Sequence, residues 1–402
     1  MRKPPISRFV LAGSRFVVRI TMRKIVSTLA VAFGLLSSTA PVIVEAETAS
    51  IPANGTWTNV TPNGVDLANP LSCDNFGAIT MVVDPARQSN LYTQFHCQGV
   101  WKSVDYGLTW FGPINTGRGG AGASGAGGLA IARGLDGKPP IIYWAGIRGT
   151  GVGFWKSVDG GVSWANYRVA PGRDRQDFYP PAVDPFDPNH LIMSGHEMNL
   201  IVESHDGGRT WSSVPMADGM HQNEGTGLLF FINTSNAATS AKTWLWTAQG
   251  SGGVIGTWRT SNGGATWVRV DDNEHPHGQM QIYQPDASGV VYMPGINSKL
   301  GAGVLRSADY GKTWTHVGIT MDEAAVFGTP KRVYAMYAWA CYCRELDLAF
   351  QSAPQPGISG WTSMSAPPEM TIGPAQTATV FDGTNYIVLT ADWRGGLWRF
   401  VE

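Results

Sequence analysis

Short apolar stretches separated by polar turns recur along the chain, and the most regular of them end on one eight-residue pattern. The pattern is Ser-x-Asp-x-Gly-x-Thr-Trp or a near variant, and it occurs five times. A short Asp or Asn side chain accepts hydrogen bonds from the backbone of its own turn, and Gly supplies a positive φ. Each copy therefore predicts a hairpin turn, followed by a strand that begins at the Trp. The five copies are Ser103–Trp110, Ser157–Trp164, Ser204–Trp211, Thr260–Trp267 and Ser307–Trp314.

Two further segments, around Trp57 and Trp361, resemble the strand that follows the octet turn. Neither segment is preceded by an octet. The seven tryptophans are then spaced by 53, 54, 47, 56, 47 and 47 residues. Periods of this length, with about four short strands in each, indicate a β-propeller. We predict an all-β fold, a single seven-bladed β-propeller over residues 47–402. Because no Trp strand follows Trp398, the N-terminal strand Trp57–Val60 is expected to pair with the last blade and close the ring, which removes open sheet edges.

The repeated octets resemble the Asp-box, or BNR, repeats of sialidases, xyloglucan-specific glycoside hydrolases, sortilin-type receptors and the photosystem II assembly factors. The resemblance covers nearly all of residues 55–402 and implies the propeller fold. It does not select a function, because the same repeat occurs in enzymes and in binding scaffolds. The Arg-Ile-Pro motif that begins the sialidase arginine triad is absent from the sequence. The xyloglucan enzymes contain two propellers, whereas this chain holds one.

The composition and the N-terminal sequence indicate which classes of binding partner and which cellular location to expect. Lys and Arg number 29 and Asp and Glu number 30, so the net charge is −1 and no nucleic-acid partner is expected. From Met22 the order is basic, apolar and then small, which is typical of a secretory signal peptide. We predict an over-called extension at 1–21, a signal peptide at 22–46 and a secreted or periplasmic monomer. The apolar run is too short to span a membrane, so no membrane partner is expected.

Four cysteines fit an exported protein. Cys73 and Cys97 are placed to form one disulfide, and Cys341 and Cys343 lie two residues apart. The spacing of zinc ligands is absent, so two disulfides are favoured over a metal site. The stretch Gly120–Gly125 formally matches a dinucleotide-binding motif but lacks the strand, the helix and the later acid. We therefore read it as a flexible loop and expect no cofactor.

Chemistry is expected on the face opposite the octet turns. The Asp residues of the octets are interpreted as turn formers without a chemical role, whereas the loops of the other face carry His, Glu and Arg. His275 and His277 are read either as half of a metal site or as a rigid loop, and we expect no metal. The predicted catalytic residues are Arg148, Arg175, His196, Glu197, Glu224 and His277. The predicted substrate-binding residues are Asn75, His96, Tyr179, His221, Asn223, His275, Asp392, Trp393 and Arg394.

These residues predict an exported enzyme that cleaves a glycosidic bond of a carbohydrate substrate. Hydrolysis would use two carboxylates, with Glu197 and Glu224 as the pair. The alternative is β-elimination from a uronate. An arginine (Arg148 or Arg175) would then neutralise the carboxylate, while His196, His277 or Tyr179 removes the C5 proton. The other class of function, a non-catalytic binding or assembly propeller, also stays open.

Overall fold

The computed structural model describes most of the chain after residue 54. The described residues are 55–67, 77–147, 153–170, 173–174, 176–220, 226–249, 256–272, 281–295, 300, 303–318, 324–337, 350–370 and 373–402. They form seven antiparallel sheets arranged as the blades of a ring, which confirms the predicted all-β seven-bladed propeller. Helix within these ranges is limited to Gly120–Ser124 (3₁₀) and Ala237–Ser240 (α). Neither helix is long or apolar enough to span a membrane.

The described strands are short and follow one another in antiparallel pairs. The first half comprises β1 (Trp57–Asn59), β2 (Ala78–Val83), β3 (Leu91–Phe95), β4 (Gly99–Ser103), β5 (Gly127–Ala132), β6 (Ile141–Gly146), β7 (Gly153–Ser157), β8 (Ala165–Tyr167), β9 (Ala182–Val183), β10 (Leu191–Ser194), β11 (Ile201–Ser204), β12 (Ser212–Val214) and β13 (Thr226–Phe231). The second half comprises β14 (Trp244–Gln249), β15 (Gly256–Thr260), β16 (Val268–Asp271), β17 (Val291–Gly295), β18 (Gly303–Ser307), β19 (Thr315–Val317), β20 (Ala324–Gly328), β21 (Arg332–Tyr337), β22 (Phe350–Pro354), β23 (Thr362–Met364), β24 (Gln376–Phe381), β25 (Tyr386–Asp392) and β26 (Gly396–Val401).

Each blade uses consecutive strands, innermost first. The blades are, in order, β2-β3-β4, β5 to β8, β9 to β12, β13 to β16, β17-β18-β19, β20 to β23, and β24-β25-β26-β1. In the fifth blade the inner strand is represented by a single bridge between Tyr283 and Tyr292. The core lies between neighbouring blades; Tyr92 and Val100 of the first blade, for example, pack with Leu129, Ile142 and Trp144 of the second.

The alternation of strand direction gives the ring two different faces. Turns between the first and second strands, and between the third and fourth, lie on what we call the lower face. Loops between the second and third strands, and those from one blade to the next, lie on the upper face. The five octets occupy turns between third and fourth strands, so they lie on the lower face and the predicted chemistry lies on the upper one.

The first octet shows how these turns are built. Asp105 Oδ1 accepts hydrogen bonds from Ser103 Oγ at 2.7 Å and from Thr109 N at 3.0 Å. Ser103 Oγ accepts from Gly107 N at 2.9 Å. Gly107 has φ +76°, which a residue with a Cβ rarely adopts, and the indole of Trp110 donates to its carbonyl at 3.2 Å. Asp159, Asp206 and Asp309 make the same bonds, which confirms the predicted role as turn formers.

The two chain ends meet in the last blade. β1 pairs antiparallel with β26, in the register Trp57 to Phe400 and Asn59 to Trp398. The pairing extends to Gly55 N, which donates to Val401 O at 2.7 Å. The ring centroids of Trp57 and Phe400 are 5.1 Å apart. The predicted closure by the N-terminal strand is therefore confirmed.

Two smaller predictions have different outcomes. The predicted flexible loop at Gly120–Gly125 is wrong, because Gly120–Ser124 forms a short 3₁₀ helix, and the Nδ2 of Asn115 donates to Gly120 O at 2.8 Å. Cys97 is disulfide-bonded, but Cys73, Cys341 and Cys343 lie outside the described residues, so the expected pairings stay predictions. The predicted extension and signal peptide lie outside the described residues as well.

Deleting residues 55–60 should open the ring, because β26 then loses its outer partner and Phe350 and Phe400 lose the indole of Trp57. We expect the deletion variant to aggregate in size-exclusion chromatography, while Trp57→Phe, which keeps the strand and an aromatic ring, stays monodisperse. A monodisperse deletion variant with the wild-type unfolding midpoint would show that closure does not depend on this strand.

Asp159→Ala should lower the free energy of unfolding by about 1–3 kcal/mol, because buried and turn donors lose their acceptor. Asp159→Asn is the matched control, since Asn262 fills this position in the fourth octet and accepts from Thr266 N at 2.9 Å. Burial opposes ionisation of Asp159, but hydrogen bonds from Ser163 and Ser157 outweigh it and lower the pKa.

A lowered carboxyl pKa stabilises the fold above the unfolded value of about 3.9, and that contribution is lost as the pH falls through the folded pKa. The advantage of wild type over Asp159→Asn, measured by denaturant unfolding, should thus shrink below about pH 4. An advantage that is constant or grows in acid would contradict this assignment.

Candidate functional site

Two loops of the upper face are held together by backbone pairing around the third blade. His196 and Glu197 lie between β10 and β11, whereas Asp177 and Tyr179 lie between β8 and β9. His196 N donates to Asp177 O at 2.9 Å, and Tyr179 N donates to Ser194 O at 3.1 Å. This pairing brings four side chains from separate loops to one place. We call Asp177, Tyr179, His196 and Glu197 the upper-face cluster.

The two acids of this cluster lie against different nitrogens of the imidazole. Asp177 Oδ1 is 3.2 Å from His196 Nδ1, and Glu197 Oε1 is 3.8 Å from His196 Nε2. The ring of Tyr179 meets the imidazole edge-on, at 5.2 Å between centroids. The side chains of Asp177 and His196 are 6% and 7% exposed, whereas that of Glu197 is 32% exposed. The row therefore runs from a buried acid, through the imidazole, to an acid that solvent reaches.

One alternative reading of His196 and Glu197 is that they form a hydrogen-bonded pair that fixes their own loop. The distance of 3.8 Å between Nε2 and Oε1 is too long for a hydrogen bond. The closer contact of the imidazole is with Asp177, on the neighbouring loop. The imidazole therefore lies nearest to the buried acid, although its Nδ1 makes no hydrogen bond within the described residues, and Glu197 lies on its outer side.

The tight turn that carries Glu197 recurs in other blades. Cys97, Glu197 and Trp393 follow a second strand in the same way, and their φ angles are +65°, +51° and +27°. Positive φ is uncommon for residues other than Gly. Because it occurs in three equivalent turns, it belongs to the turn geometry rather than to a strain specific to Glu197.

The residues that precede these three positions have different surroundings. His96 is fully buried, with Nε2 at 3.2 Å from Gly127 O of the next blade. Asp392 is fully buried as well, neither of its carboxyl oxygens has a hydrogen-bond partner among the described residues, and burial raises its pKa well above the usual range. These side chains do not reach solvent in this conformation, whereas Arg394 nearby is exposed. Their predicted role in substrate binding stays a prediction.

The structure thus unites only part of the predicted site. His196, Glu197 and Tyr179 meet in the upper-face cluster, while His96 and the stretch Asp392–Arg394 lie in other blades. Eight predicted residues lie outside the described part of the chain: Asn75, Arg148, Arg175, His221, Asn223, Glu224, His275 and His277.

Asp177 was not among the predicted site residues. The signal for it was present, because Asp177 is the last acid of a charged loop and comes two residues before Tyr179. Its neighbour Gln176 fixes that loop: Oε1 accepts from Val169 N at 2.9 Å, and Nε2 donates to Ala170 O at 2.9 Å. Such a buried amide orients the chain so that Asp177 turns toward His196.

Two groups of described side chains have donor atoms close enough for a metal ion. The first is Asp177, His196 and Glu197, and the second is His190, Glu203 and His205 on the lower face. In the first group the two acids lie nearest to different nitrogens of the imidazole, at 3.2 Å and 3.8 Å. This arrangement suits proton transfer or charge stabilisation better than metal binding.

In the second group both nitrogens of His190 are already occupied. Nδ1 is 2.8 Å from Asp184 and Nε2 is 2.9 Å from Glu203. Burial alone would lower the pKa of His190, but the hydrogen bonds to the two carboxylates raise it to about 9. A protonated imidazole cannot bind a metal. In this group, the protonated imidazole of His190 therefore links the carboxylates of Asp184 and Glu203 within the third blade.

Comparison with known proteins supports the fold. No family model and no curated protein matches the chain. Among solved structures, a GH74 xyloglucanase from Xanthomonas campestris superposes with a TM-score of 0.57 at 14% identity, over 86% of this chain and 53% of that one. YCF48 from Cyanidioschyzon merolae gives a TM-score of 0.52 at 13% identity, over 86% of this chain and 98% of that one. YCF48 bound to a D1 peptide gives 0.53 at 13%, over 88% and 98%.

At these identities the likeness shows that the propeller fold is shared; it does not show that an activity is shared. This chain spans about half of the xyloglucanase and nearly the whole of YCF48. The neighbours therefore include both an enzyme and a peptide-binding propeller.

We expect the purified protein to contain no stoichiometric metal after dialysis, because both nitrogens of His190 already contact carboxylates and the two acids of the upper-face cluster lie nearest to different nitrogens of His196. Elemental analysis by inductively coupled plasma mass spectrometry tests this, with the unfolding midpoint measured with and without a chelator. One metal equivalent that is lost in His196→Gln would contradict the assignment of the upper-face cluster.

Proposed function

We propose that the chain is an exported carbohydrate-active enzyme that cleaves glycosidic bonds at the upper-face cluster. The observation that supports this most is the row from Asp177 through His196 to Glu197. Its inner end is buried and its outer end reaches solvent, so a substrate would contact Glu197 first. The xyloglucanase fold neighbour adds support at the level of the fold alone.

Asp177 would act as a positioning residue in this proposal. Its carboxylate lies beside Nδ1 of His196, within a largely water-excluded site where charges interact more strongly than in water. With the carboxylate on the Nδ1 side of the ring, Nε2 lies on the side of Glu197. His196 would then exchange a proton through Nε2, on the outer side of the cluster.

In hydrolysis, Glu197 would be one of the two carboxylates that flank the scissile bond. One protonates the leaving oxygen, and the other activates the attacking water or bonds to the sugar. Glu197 is the more exposed of the two described acids in the cluster, which suits a base or a nucleophile that contacts the substrate. Glu224 remains our proposed partner acid.

In β-elimination, neutral His196 would remove the C5 proton of a uronate, and the bond from C4 to the leaving oxygen would break as the C4–C5 double bond forms. The specific observation for this route is the buried carboxylate of Asp177 at 3.2 Å from Nδ1, which leaves Nε2 on the outer side as the base. Arg148 or Arg175 would neutralise the uronate carboxylate. We place hydrolysis first, because the fold neighbours include a glycoside hydrolase, the GH74 xyloglucanase.

A non-catalytic binding or assembly propeller is the second candidate. The coverage supports it, since YCF48 is matched over 98% of its length whereas the xyloglucanase is matched over only 53% of its own. Such a protein would bind its partner at the same upper face and release no product.

Purified mature protein should be incubated with xyloglucan, as a neutral glycan, and with polygalacturonate, as a uronate polymer. New reducing ends without ultraviolet absorbance are the expected result and indicate hydrolysis. Absorbance of an unsaturated uronate would indicate elimination. We expect Glu197→Gln to reduce turnover by about 100-fold or more, the scale of general acid–base catalysis.

Two further variants separate the roles. Asp177→Asn should lower turnover less than Glu197→Gln does and should shift the pH profile, because it changes the charge behind His196. Asp159→Asn, on the lower face, is the control and should leave turnover per folded molecule unchanged. If no glycan of a broader panel is cut, and the upper-face variants alter only the binding of a partner, the protein is a scaffold and the proposal fails.

A further inference from the structure

A hydrogen bond across the lower face joins several neighbouring blades in the same way. In each case, a Lys or Arg in the third strand of one blade donates to a backbone carbonyl in the turn of the next blade. Four such bonds occur among the described residues: Lys156 to Gly207 at 2.9 Å, Arg259 to Tyr310 at 2.8 Å, Arg306 to Pro356 at 3.1 Å and Arg399 to Tyr106 at 3.2 Å. We call them the inter-blade bonds.

Two of these cations also lie over a tyrosine on the second strand of their own blade. Lys156 lies over Tyr143 at 5.7 Å, and Arg306 lies over Tyr292 at 5.9 Å. The hydroxyl groups of these tyrosines are hydrogen-bonded to the next blade as well. That of Tyr143 donates to Pro188 O at 3.1 Å, and that of Tyr292 donates to Pro356 O. At these two junctions, cation and tyrosine are both used to attach the next blade.

The first blade has the same pair of residues but lacks both bonds. Lys102 is opposite Tyr92 in the strand register and lies 5.3 Å from its ring. Within the described residues, Lys102 Nζ makes no hydrogen bond or ion pair, although Gly160 of the second blade occupies the position that Gly207 has in the third. The hydroxyl of Tyr92 is buried and has no hydrogen-bond partner among the same residues. A buried polar group without a partner is costly, so it calls for a ligand or another explanation.

A cleft occupies the place where these bonds are missing. It lies between the first and second blades on the lower face and measures about 560 Å³. Tyr92 and Lys102 line it together with three more cations, Arg87, Arg133 and Lys138. Phe111, which is half exposed, adds an apolar wall. We call it the lower-face cleft.

The two acids that line the cleft are already engaged in their own turns. Asp84 Oδ1 accepts from Ala86 N at 2.9 Å. Asp159 accepts from Ser157 Oγ at 2.7 Å and from Ser163 N at 2.9 Å. Four cations thus face two acids, and the cations carry the excess charge. Burial raises the pKa of Tyr92 to about 12, so its hydroxyl stays a neutral donor at physiological pH.

We propose that the lower-face cleft binds an organic anion whose carboxylate or phosphate group accepts hydrogen bonds from Tyr92 and Lys102. Arg87, Arg133 and Lys138 neutralise the remaining charge, and the apolar part of the ligand packs against Phe111. This site is on the face opposite the upper-face cluster, and it does not depend on the proposed enzymatic function. The bound anion would supply the acceptor that the second blade does not provide at this junction.

Isothermal titration calorimetry of the mature protein tests the site with two probes, inorganic phosphate and benzoate, at constant ionic strength. Benzamide, the neutral analogue of benzoate, is the control ligand. We expect one equivalent of anion to bind and benzamide not to bind. Tighter binding of benzoate or of phosphate identifies the preferred anionic group.

Tyr92→Phe and Lys102→Met should each weaken binding by about tenfold, the scale of one lost hydrogen bond to a charged group. The matched variants Tyr143→Phe and Lys156→Met remove the same groups where the inter-blade bonds exist. They should lower the unfolding midpoint and leave the affinity unchanged, whereas Tyr92→Phe and Lys102→Met should leave the midpoint of the ligand-free protein unchanged.

Three results would overturn the proposal. The first is the absence of saturable binding of either anion to the wild type. The second is wild-type affinity in both Tyr92→Phe and Lys102→Met, which would indicate adventitious binding to surface cations only. The third is a loss of stability in these two variants equal to that in Tyr143→Phe and Lys156→Met, which would show that the first junction is already bonded.

Discussion

Antiparallel pairing between the two ends of the chain is the interaction on which the ring depends. A propeller blade buries its side chains against its neighbours, so one open junction exposes two apolar faces and an unpaired sheet edge. β1 prevents this by adding the outermost strand to the blade that β26 would otherwise end. The bond from Arg399 to Tyr106 crosses the same junction on the lower face and links the last blade to the first. Everything the loops do rests on this closed ring.

The two faces of the closed ring have different structural roles. On the lower face, tight turns satisfy their own backbone groups through Asp side chains, and cations attach most of the described blades to the next. On the upper face, the loops differ from blade to blade and are held by backbone pairing such as that between His196 and Asp177. Variable loops on a rigid scaffold are where proteins usually place binding and chemistry. The first junction on the lower face departs from this division, because its cation and tyrosine lack the bonds made elsewhere.

The sequence predicts what depends on local geometry. The octet specifies its turn, and the tryptophan spacing specifies the blades, because each repeat supplies one Trp at the same place in the blade. The pairing of Asp177 with His196 was not predicted, since it depends on how two loops from different turns of the chain align. His96, His196 and Asp392 hold equivalent positions and are all buried, yet their partners differ, and these partners come from loops and blades distant in the sequence. Lys102 and Lys156 share the same Trp-Lys-Ser context, and only the contacts of the next blade distinguish them.

The central proposal is that a carbohydrate substrate binds at His196 and Glu197. Nuclear magnetic resonance of histidine-labelled protein tests it directly, with the Cε1–H signal of His196 assigned by its loss in His196→Gln. We predict that this signal shifts when oligosaccharides of xyloglucan or polygalacturonate are added. The signals of His190 and His205, on the opposite face, should stay in place. An unchanged His196 signal, or a shift confined to His190 and His205, would contradict the account.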